Sequence, residues 1–407
     1  MVLQLVDTES PRTLAARQLL LRMFDAAVTR VGGRRCVADF LRKAPQSFRQ
    51  HRPLAVAAIG KAASSMALGV ADVCRERMQH LLVITKDGHC EAELLELARD
   101  SVHFEVLESS HPVPDARSLA AGERLLHWLA QLPAEALPLF LISGGASSLV
   151  EHLHSGVGLS ELMALNRAGL ASGWSIERLN RARARLSAIK GGALAAHIRQ
   201  PAIALFISDV PGDDPAVIGS GLLGPAGGDR DFDDCVERHV IARLEDALQA
   251  AADTAAAAGW RVQLDEERYA GDVGALATRF AAELQHGPPR ALVWGGESVV
   301  SLPARPGRGG RNQHLALSLA EVLCGDEQTF VLAAGTDGTD GVTDDAGAFV
   351  TGTTWLEIDR TGYDAELALA SADAGTVLEI VGALVHTGPT GTNVGDLLLG
   401  LRYDPTP

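Results

Sequence analysis

A lysine at the end of an apolar segment is the first residue of this sequence whose position suggests chemistry. Lys61 comes just after the segment Leu54–Ile59 and precedes an Ala- and Ser-rich stretch typical of a helix start. A cation near a helix amino terminus is unfavourable because that end already carries partial positive charge, and a bound anion relieves the cost. Lys61 therefore predicts an anion site, with an ordinary solvated lysine as the alternative. A Walker A loop is excluded, because Ala55 occupies the place of its first glycine.

A turn rich in glycine and serine is the second candidate for an anion site. It reads Ser143-Gly144-Gly145-Ala146-Ser147 and follows another apolar segment. Consecutive glycines let backbone N–H groups converge on an anion, and the dipole of a following helix adds to the attraction. We therefore predict ligand contacts from Ser143, Gly144, Gly145 and Ser147. A capping turn with Ser147 as the helix N-cap is the alternative, and both functions can coexist.

Acidic residues that follow two further apolar segments are candidates for holding Mg²⁺. Asp209 follows Ala202–Ser208, and Asp337 follows Phe330–Ala333. Magnesium bound to a nucleotide takes one or two carboxylates from the protein. We predict that Asp209 and Asp337 bind metal or orient a substrate hydroxyl. Ordinary Asx turns are the alternative at both positions.

A glycine-rich segment with three arginines is a candidate anion clamp. Glu297 lies on the turn before it, and the segment contains Arg305, Arg308 and Arg311. Guanidinium groups on such a loop are suited to phosphate or carboxylate groups. Arg311 lies where the predicted helix Leu315–Leu323 begins, so a bound anion explains its position as it does for Lys61. Simple solvation is the alternative for Arg305 and Arg308.

A loop of small residues near the carboxyl end of the chain completes the set of candidates. It extends from His386 to Asp396 and carries the hydroxyl of Thr390 and the amide of Asn393. We predict that Thr390 and Asn393 bind substrate or nucleotide. Taken alone, the same composition occurs in ordinary loops.

The segment Gly219–Gly224 matches the GxGxxG pattern of dinucleotide-binding proteins. It does not directly follow its strand, does not clearly open a helix, and is not followed by a matching acidic residue that closes a βαβ unit. We interpret it as a chance match. The remaining pattern of anion-compatible turns, acids and isolated cations favours phosphoryl transfer, in which catalysis is mostly positioning and charge neutralisation.

The elements that must position these residues follow an α/β pattern. Short apolar segments, which fit strands buried on both faces of a parallel sheet, alternate with Ala- and Leu-rich helical segments. The predicted strands are Leu54–Ile59, Leu81–Thr85, Phe104–Leu107, Pro138–Ile142, Ala202–Ser208, Trp260–Leu264, Ala291–Trp294, Phe330–Ala333 and Val381–Val385. Helices are predicted over Thr13–Val31 and Val236–Gly259. The alternation predicts right-handed βαβ crossovers.

Chain length predicts two α/β domains, because 407 residues exceed what one ordinary core holds. The polar, Gly- and Asp-rich segment Gly224–Cys235 is the best boundary candidate. We therefore predict an amino-terminal domain over residues 1–230 and a carboxy-terminal domain over residues 231–407.

Composition and charge limit the kinds of molecule that this protein is expected to bind. The formal net charge of −15, without a long basic run, disfavours nucleic acid and anionic membranes as ligands. Five widely spaced cysteines, none in a CxxC pair, predict neither a disulfide framework nor a zinc site. The amino terminus lacks the apolar core of a signal peptide, and no apolar run is long enough for a membrane helix. We expect a cytoplasmic protein, monomeric or homodimeric, acting on small molecules.

Several long motifs, in order along most of the chain, resemble the class II glycerate kinases, whose carboxy-terminal part is the MOFRL domain. The matching segments are GKAASSM, SSHPVPDARSL, LISGGASSLVE, LSAIKGGALA, SDVPGDDP, GGRNQHLAL, GTDGTDGVTDDAGA and HTGPTGTNVGDLLLGL. The resemblance implies a larger Rossmann-like amino-terminal domain, a smaller MOFRL-type domain, largely parallel sheets and an active-site cleft between the domains.

The resemblance also implies an activity and assigns residues to it. It implies transfer of phosphate from ATP, with Mg²⁺, to D-glycerate, with 2-phospho-D-glycerate as product. Lys61 and Arg311 match the catalytic cations proposed for the family. Lys190 and Asn312 lie in matched motifs and are carried over as substrate- or nucleotide-binding residues. Glu297, on the turn before the arginine-rich segment, is predicted to bind substrate or nucleotide as well.

Two alternatives to this activity stay open. One is an NAD(P)-dependent hydroxypyruvate reductase, a label that relatives have carried, and its only support in the sequence is the weak GxGxxG match. The other is a metabolite-binding relative without catalytic activity, which is supported by departures from the family pattern. Ala146 replaces a glycine, Leu222-Leu223 replace a Pro-Thr pair, and Ala184-Arg185 replace a Lys-His pair.

Overall fold

The structure is a computed structural model that describes residues 10–44, 48, 52–171, 176–225 and 235–404. Its α-helices are α1 (Pro11–Arg30), α2 (Gly33–Lys43), α3 (Ala63–Cys74), α4 (Ala92–Ala98), α5 (Ala116–Gln131), α6 (Ala146–Leu149), α7 (Leu159–Ala171), α8 (Ile176–Ala184), α9 (Leu244–Ala257), α10 (Val273–Gln285), α11 (Arg311–Val322), α12 (Thr354–Arg360), α13 (Ala365–Ala370) and α14 (Ala374–Ile380). Its strands are β1 (Leu54–Ile59), β2 (Met78–Lys86), β3 (Phe104–Ser109), β4 (Leu137–Ile142), β5 (Ala202–Ile207), β6 (Val236–Ala242), β7 (Val262–Leu264), β8 (Tyr269–Asp272), β9 (Arg290–Val299), β10 (Thr329–Gly335), β11 (Gly347–Thr351), β12 (Leu384–Val385) and β13 (Asp396–Arg402).

The described residues form two compact units. The parallel-sheet unit comprises Val31–Arg243 and Gly391–Asn393. The mixed-sheet unit comprises the described parts of Met1–Arg30, Leu244–Thr390 and Val394–Pro407.

The sheet of the parallel-sheet unit has the strand order β3-β2-β1-β4-β5-β6, and every pairing in it is parallel. The strand order reverses between β1 and β4, and ligands in open α/β sheets bind beyond the carboxyl ends of the strands at such a switch point. The central strands β1 and β4 are buried along their whole length. The continuous apolar segments of the sequence correctly predicted that these strands are parallel and buried, whereas the strand order comes from the structure.

The sheet of the mixed-sheet unit has the order β12-β11-β10-β13-β9-β7, with β8 also paired to β9. Its central pairings, β11 with β10, β10 with β13 and β13 with β9, are antiparallel, while β7 and β8 pair with β9 in parallel. The two-unit α/β class is confirmed. The prediction of a largely parallel sheet holds for the first unit and is wrong for the second, because strand direction depends on long-range pairing rather than on local pattern.

The two units divide the chain at other places than the predicted boundary, and one helix predicted near that boundary has a different structure. Helix α1 belongs to the mixed-sheet unit, where its apolar side packs on α9. The segment predicted as one helix over Val236–Gly259 begins instead with strand β6, a partly exposed edge strand, and becomes helical only from Leu244. Gly391–Asn393 belong to the parallel-sheet unit. The predicted boundary between residues 230 and 231 itself lies outside the described residues.

Within the described ranges, no helix combines the length and the apolar character needed to cross a bilayer.

Candidate active site

The loops that follow β1 and β4 are tied together at the switch point. The backbone N–H of Lys61 donates to the carbonyl of Gly144 at 2.9 Å. The Ala62 N–H donates to the Ser143 hydroxyl at 3.1 Å, and Ser143 is fully buried. Lys61 lies two residues before the first residue of α3, with its side chain partly exposed. The Ser143 hydroxyl therefore holds the loop that presents Lys61.

Glycine is required at two positions of the turn after β4. A Cβ on Gly144 would lie 2.0 Å from both the Asp209 Oδ2 and the Asn393 Nδ2. Gly145 adopts a φ of +87° at the N-cap of α6, and a Cβ there would lie 3.1 Å from the Lys61 Cγ. The side chains packed over the turn therefore leave room only for glycine at position 144.

Replacing Gly144 tests this packing. We expect Gly144→Ala to displace Asp209 and Asn393 and to lower the thermal midpoint, since overpacking costs about 1–3 kcal/mol. Gly158→Ala is the matched control, because a Cβ at Gly158 meets only the Ser160 Oγ at 3.5 Å. Differential scanning fluorimetry compares the two variants, and an unchanged midpoint in Gly144→Ala contradicts the close packing.

Asp209 and Asn393 form a polar pair beside this turn. Asp209 follows β5, the neighbour of β4, and its Oδ2 accepts a hydrogen bond from the Asn393 Nδ2 at 3.0 Å. Asn393 reaches the parallel-sheet unit from a part of the chain 184 residues away. The structure thus brings together Lys61, the glycine turn, Asp209 and Asn393, which the sequence proposed separately. We call these residues the strand-end cluster.

Lys190 lies in a buried ion pair next to the strand-end cluster. Its Nζ donates to the Glu151 Oε2 at 2.5 Å and to the backbone carbonyl of Ser147 at 2.6 Å. Glu151 is fully buried and also accepts from the Ser187 hydroxyl at 2.5 Å. Burial lowers the pKa of Lys190, and the Glu151 carboxylate opposes this effect. Lys190 therefore links the glycine turn to the interior of the unit.

A small cavity of about 190 Å³ opens beside this pair. Polar groups on its wall come from His111, Gly145, Ser147, Arg183 and Lys190. The combination of a guanidinium, an ammonium, an imidazole and the glycine turn suits a small anion bearing hydroxyl groups. His111, Arg183 and Glu151 were not assigned by the sequence, although His111 and Glu151 lie within motifs that carry the family resemblance.

The GxGxxG segment has no dinucleotide-binding geometry. Gly219, Ser220 and Gly221 have φ values of 59°, 58° and 68°, a left-handed turn after β5 rather than a strand-to-helix turn. The Ser220 hydroxyl lies 2.8 Å from the Ser147 hydroxyl. The departures at Ala146 and Leu222-Leu223 are fully buried in the core of the unit, so they change its packing. The interpretation of this motif as a chance match agrees with its geometry.

Arg311, the first residue of α11, lies among acidic side chains of the mixed-sheet unit. Its Nε donates to the Asp396 Oδ2 at 2.5 Å and its Nη2 to the Asp396 Oδ1 at 3.1 Å. Its Nη1 lies 2.6 Å from the Glu297 Oε1. Burial disfavours the charge, but Asp396 and Glu297 outweigh it and hold the pKa of Arg311 above its ordinary value. Arg311 therefore has two carboxylate partners from the protein itself.

Asp340 caps the helix that Arg311 begins. Its carboxylate accepts from the Asn312 N–H at 3.1 Å and from the Gln313 N–H at 2.8 Å. Burial raises the pKa of Asp340 to about 7, although these two N–H groups act in the opposite direction. Asn312 is buried, and its amide nitrogen also points to Asp340 at 3.4 Å. The side chain of Asn312, predicted to bind ligand, thus takes part in this cap. We call Arg311, Glu297, Asp340 and Asp396 the Arg311 cluster.

Asp337 and Thr390 stabilise the loops that follow β10 and precede β13. The Asp337 Oδ1 accepts from the Thr339 N–H at 3.0 Å, as in an Asx turn. The Thr390 hydroxyl donates to the Thr336 carbonyl at 2.5 Å. Asp209 and Asp337, the predicted metal ligands, lie in different units. In the part of the chain that the structure describes, no group of three or more His, Cys, Asp or Glu side chains is arranged around a metal position.

Comparison with known proteins decides the family. Residues 19–254 match the family described as a domain of unknown function, DUF4147, and residues 290–396 match the MOFRL family. A D-glycerate 2-kinase of Thermotoga maritima is 36% identical, over 84% of this chain and 89% of its own length. This chain belongs to the class II glycerate kinase family. The resemblance carried by the sequence motifs is confirmed.

Other relatives agree in sequence and fold. The crystal structure of a glycerate kinase from Thermotoga maritima has a TM-score of 0.80 and 33% identity, and covers 97% of this chain and 100% of its own. A family member of Agrobacterium vitis that carries the name hydroxypyruvate reductase is 36% identical, over 94% of both chains.

Proposed function

We propose that this protein transfers the γ-phosphoryl group of ATP to the 2-hydroxyl of D-glycerate and releases ADP and 2-phospho-D-glycerate. The observation that carries the proposal is the strand-end cluster at the switch point, beside a small cationic cavity. Similarity to a D-glycerate 2-kinase over most of the chain supports the same activity.

The reaction requires positioning and charge neutralisation more than covalent chemistry. The glycerate hydroxyl oxygen forms a bond to the γ-phosphorus, the bond from this phosphorus to the β,γ-bridging oxygen breaks, and the hydroxyl proton passes to solvent water. We propose that Lys61 and the N–H groups of the glycine turn neutralise charge on the transferred group. Arg311 is proposed as the second catalytic cation, acting on an anionic group of substrate or nucleotide.

The cavity next to the strand-end cluster is the proposed site for the glycerate carboxylate. Arg183 and Lys190 supply positive charge on its wall, and His111 supplies a hydrogen-bonding ring. Lys190 is paired with Glu151, and the same carboxylate also acts on Arg183, so the two cations and Glu151 form one charged group on this wall. A small hydroxy acid satisfies these groups, whereas a large apolar ligand does not.

We expect ATP to bind as its Mg²⁺ complex, and Asp209 is the best candidate for a protein ligand of the ion. The ion bound to a nucleotide is held mostly by phosphates and water, with one or two protein carboxylates, so a protein cage is not required. Asp209 is partly exposed at the carboxyl end of β5, next to the glycine turn. Asp337 is the second candidate. Bound there, magnesium would neutralise phosphate charge.

Product analysis tests the proposed function. We expect ADP release from ATP and Mg²⁺ only when D-glycerate is present, with a phosphorus NMR signal of 2-phosphoglycerate. A 3-phosphoglycerate signal would contradict the regiochemistry alone. ADP release no higher than without acceptor would contradict the kinase assignment.

The name hydroxypyruvate reductase, carried by the Agrobacterium vitis relative, defines the alternative activity. The strand order of the parallel sheet is that of dinucleotide-binding folds. However, the loop after β1 reads Gly60-Lys61-Ala62, and GxGxxG lies after β5. A change in nicotinamide absorbance with hydroxypyruvate would support the reductase. Thermal stabilisation by glycerate or ATP without turnover would support a binding protein instead.

A further inference from the structure

The Arg311 cluster contains more negative than positive charge. The guanidinium of Arg311 is paired with Asp396 and Glu297, and Asp340 lies close enough to raise the pKa of Arg311 further. The Glu297 side chain is 57% exposed, so water can solvate its carboxylate when Arg311 leaves. Asp396 is only 2% exposed. An anion that recruits Arg311 therefore leaves the buried Asp396 carboxylate in need of another donor, since an unpaired buried charge is strongly unfavourable.

Tyr269, the first residue of β8, carries a buried hydroxyl that can act as such a donor. It is 3% exposed, and its hydroxyl has no hydrogen-bond partner among the residues that the structure describes. Buried polar groups are nearly always paired, so such a hydroxyl calls for an explanation.

Strand pairing places Tyr269 and Asp396 on either side of the same residue. Gly296 of β9 pairs in register with Tyr269 on one side and with Asp396 on the other. Neighbouring strands are about 4.8 Å apart, so the two Cα atoms are separated by about 10 Å. Gly296 has no side chain between them, and a Tyr side chain is long enough to bridge most of that distance.

The electrostatic surroundings of Tyr269 agree with this placement. Burial raises the pKa of its hydroxyl well above the ordinary value, and Asp396, Glu297 and Asp340 raise it further while Arg311 opposes them. The hydroxyl thus keeps its proton throughout the neutral range. An uncharged donor that faces a buried carboxylate can stabilise that carboxylate without competing with Arg311 for the incoming anion.

We propose that Tyr269 is a positioning residue of the Arg311 cluster, whose hydroxyl becomes the donor to Asp396 when Arg311 turns to an anionic ligand. This inference rests on the proposed function, which supplies ATP and glycerate as the anions. Neither the sequence motifs nor the proposed catalytic role of Arg311 assigns a function to Tyr269.

Tyr269→Phe removes only the hydroxyl, so it separates this role from packing. For the free protein we expect an unchanged or higher thermal midpoint, because an unpartnered buried polar group is removed. For the reaction we expect kcat/KM for ATP or D-glycerate to fall at least about tenfold, since a hydrogen bond to a charged group is lost. Tyr363→Phe, at an exposed position, is the matched control and should resemble the wild type.

An Arg311→Gln background tests whether Tyr269 acts through Arg311. There the additional Tyr269→Phe change should alter kcat/KM less than twofold. Values of kcat/KM within twofold of wild type in the single variant would overturn the proposal, as would an equal tenfold loss in the Arg311→Gln background.

Calorimetric titration with ADP and with D-glycerate separates failure of this inference from failure of the proposed function. A wild-type protein that binds either anion but forms no product refutes the kinase assignment alone. In that case, at least about tenfold weaker binding of that anion by Tyr269→Phe still supports the positioning role. Equal affinity of wild type and variant for both anions overturns it.

Discussion

Replacing Lys61 by Ala is expected to lower the rate of ATP-dependent glycerate phosphorylation by about 10²–10³-fold, the usual effect of removing one preorganised charge from a reaction centre. Lys61 lies beside the glycine turn, at the carboxyl end of the central strand β1. Its backbone hydrogen bond to Gly144 is independent of the side chain. The fold should therefore survive, and the loss should appear in kcat.

Two further variants make the Lys61 experiment specific. Lys61→Arg keeps the charge but changes its shape, and we expect an intermediate rate. Lys43→Ala removes a lysine from the exposed last turn of α2 and should leave the rate unchanged. Steady-state ADP release gives the rates, and circular dichroism checks the fold. A Lys61→Ala enzyme within threefold of wild type would show that Lys61 is not catalytic.

Replacing Lys190 by Met is expected to lower the free energy of unfolding by about 3–5 kcal/mol, because it leaves the Glu151 carboxylate buried without its cation. Glu151 is fully buried, and Lys190 is 3% exposed. Chemical denaturation measures the change. A loss below about 1 kcal/mol would mean that the pair contributes no more than an exposed ion pair does.

A second replacement separates the structural role of Lys190 from ligand binding. In Lys190→Met with Glu151→Gln, the charge of Glu151 is removed while a side-chain oxygen can still accept from the Ser187 hydroxyl. We expect most of the lost stability to return. If catalytic activity returns as well, Lys190 acts only by neutralising Glu151, because methionine at this position cannot donate to the Ser147 carbonyl of the glycine turn. If the stable double variant remains inactive, the ammonium group itself is required, at the Ser147 carbonyl or at a ligand in the cavity.

Much of the strand-end cluster could be predicted from the sequence. Lys61, the glycine turn and Asp209 each follow a continuous apolar segment, and such segments are typical of buried parallel strands. Parallel strands align their carboxyl ends at one edge of the sheet, so residues far apart in sequence meet there. The motifs also identified the family. For these features local pattern is sufficient, because burial on both faces and strand-end turns leave a signature in consecutive residues.

Other features depended on pairings that no local pattern encodes. The antiparallel centre of the second sheet, the inclusion of α1 in the mixed-sheet unit and the contact of Asn393 with Asp209 join distant segments of the chain. The partners of charged side chains also depend on contacts between distant segments. Sequence alone placed Arg311 at a helix start, and the tertiary structure gave it Asp396.

Burial is the physical reason why some features could be predicted from the sequence and others could not. The sequence does not show whether a cationic side chain faces solvent or a buried carboxylate. Only tertiary packing excludes water from such a pair, and this exclusion distinguishes the two environments. Lys190 matched a family motif, but its pairing with Glu151 became evident only where both side chains are enclosed. The chain by itself determined which residues stand at the strand ends. The tertiary structure decided which of them are partly exposed and which are buried in pairs that hold the others in place.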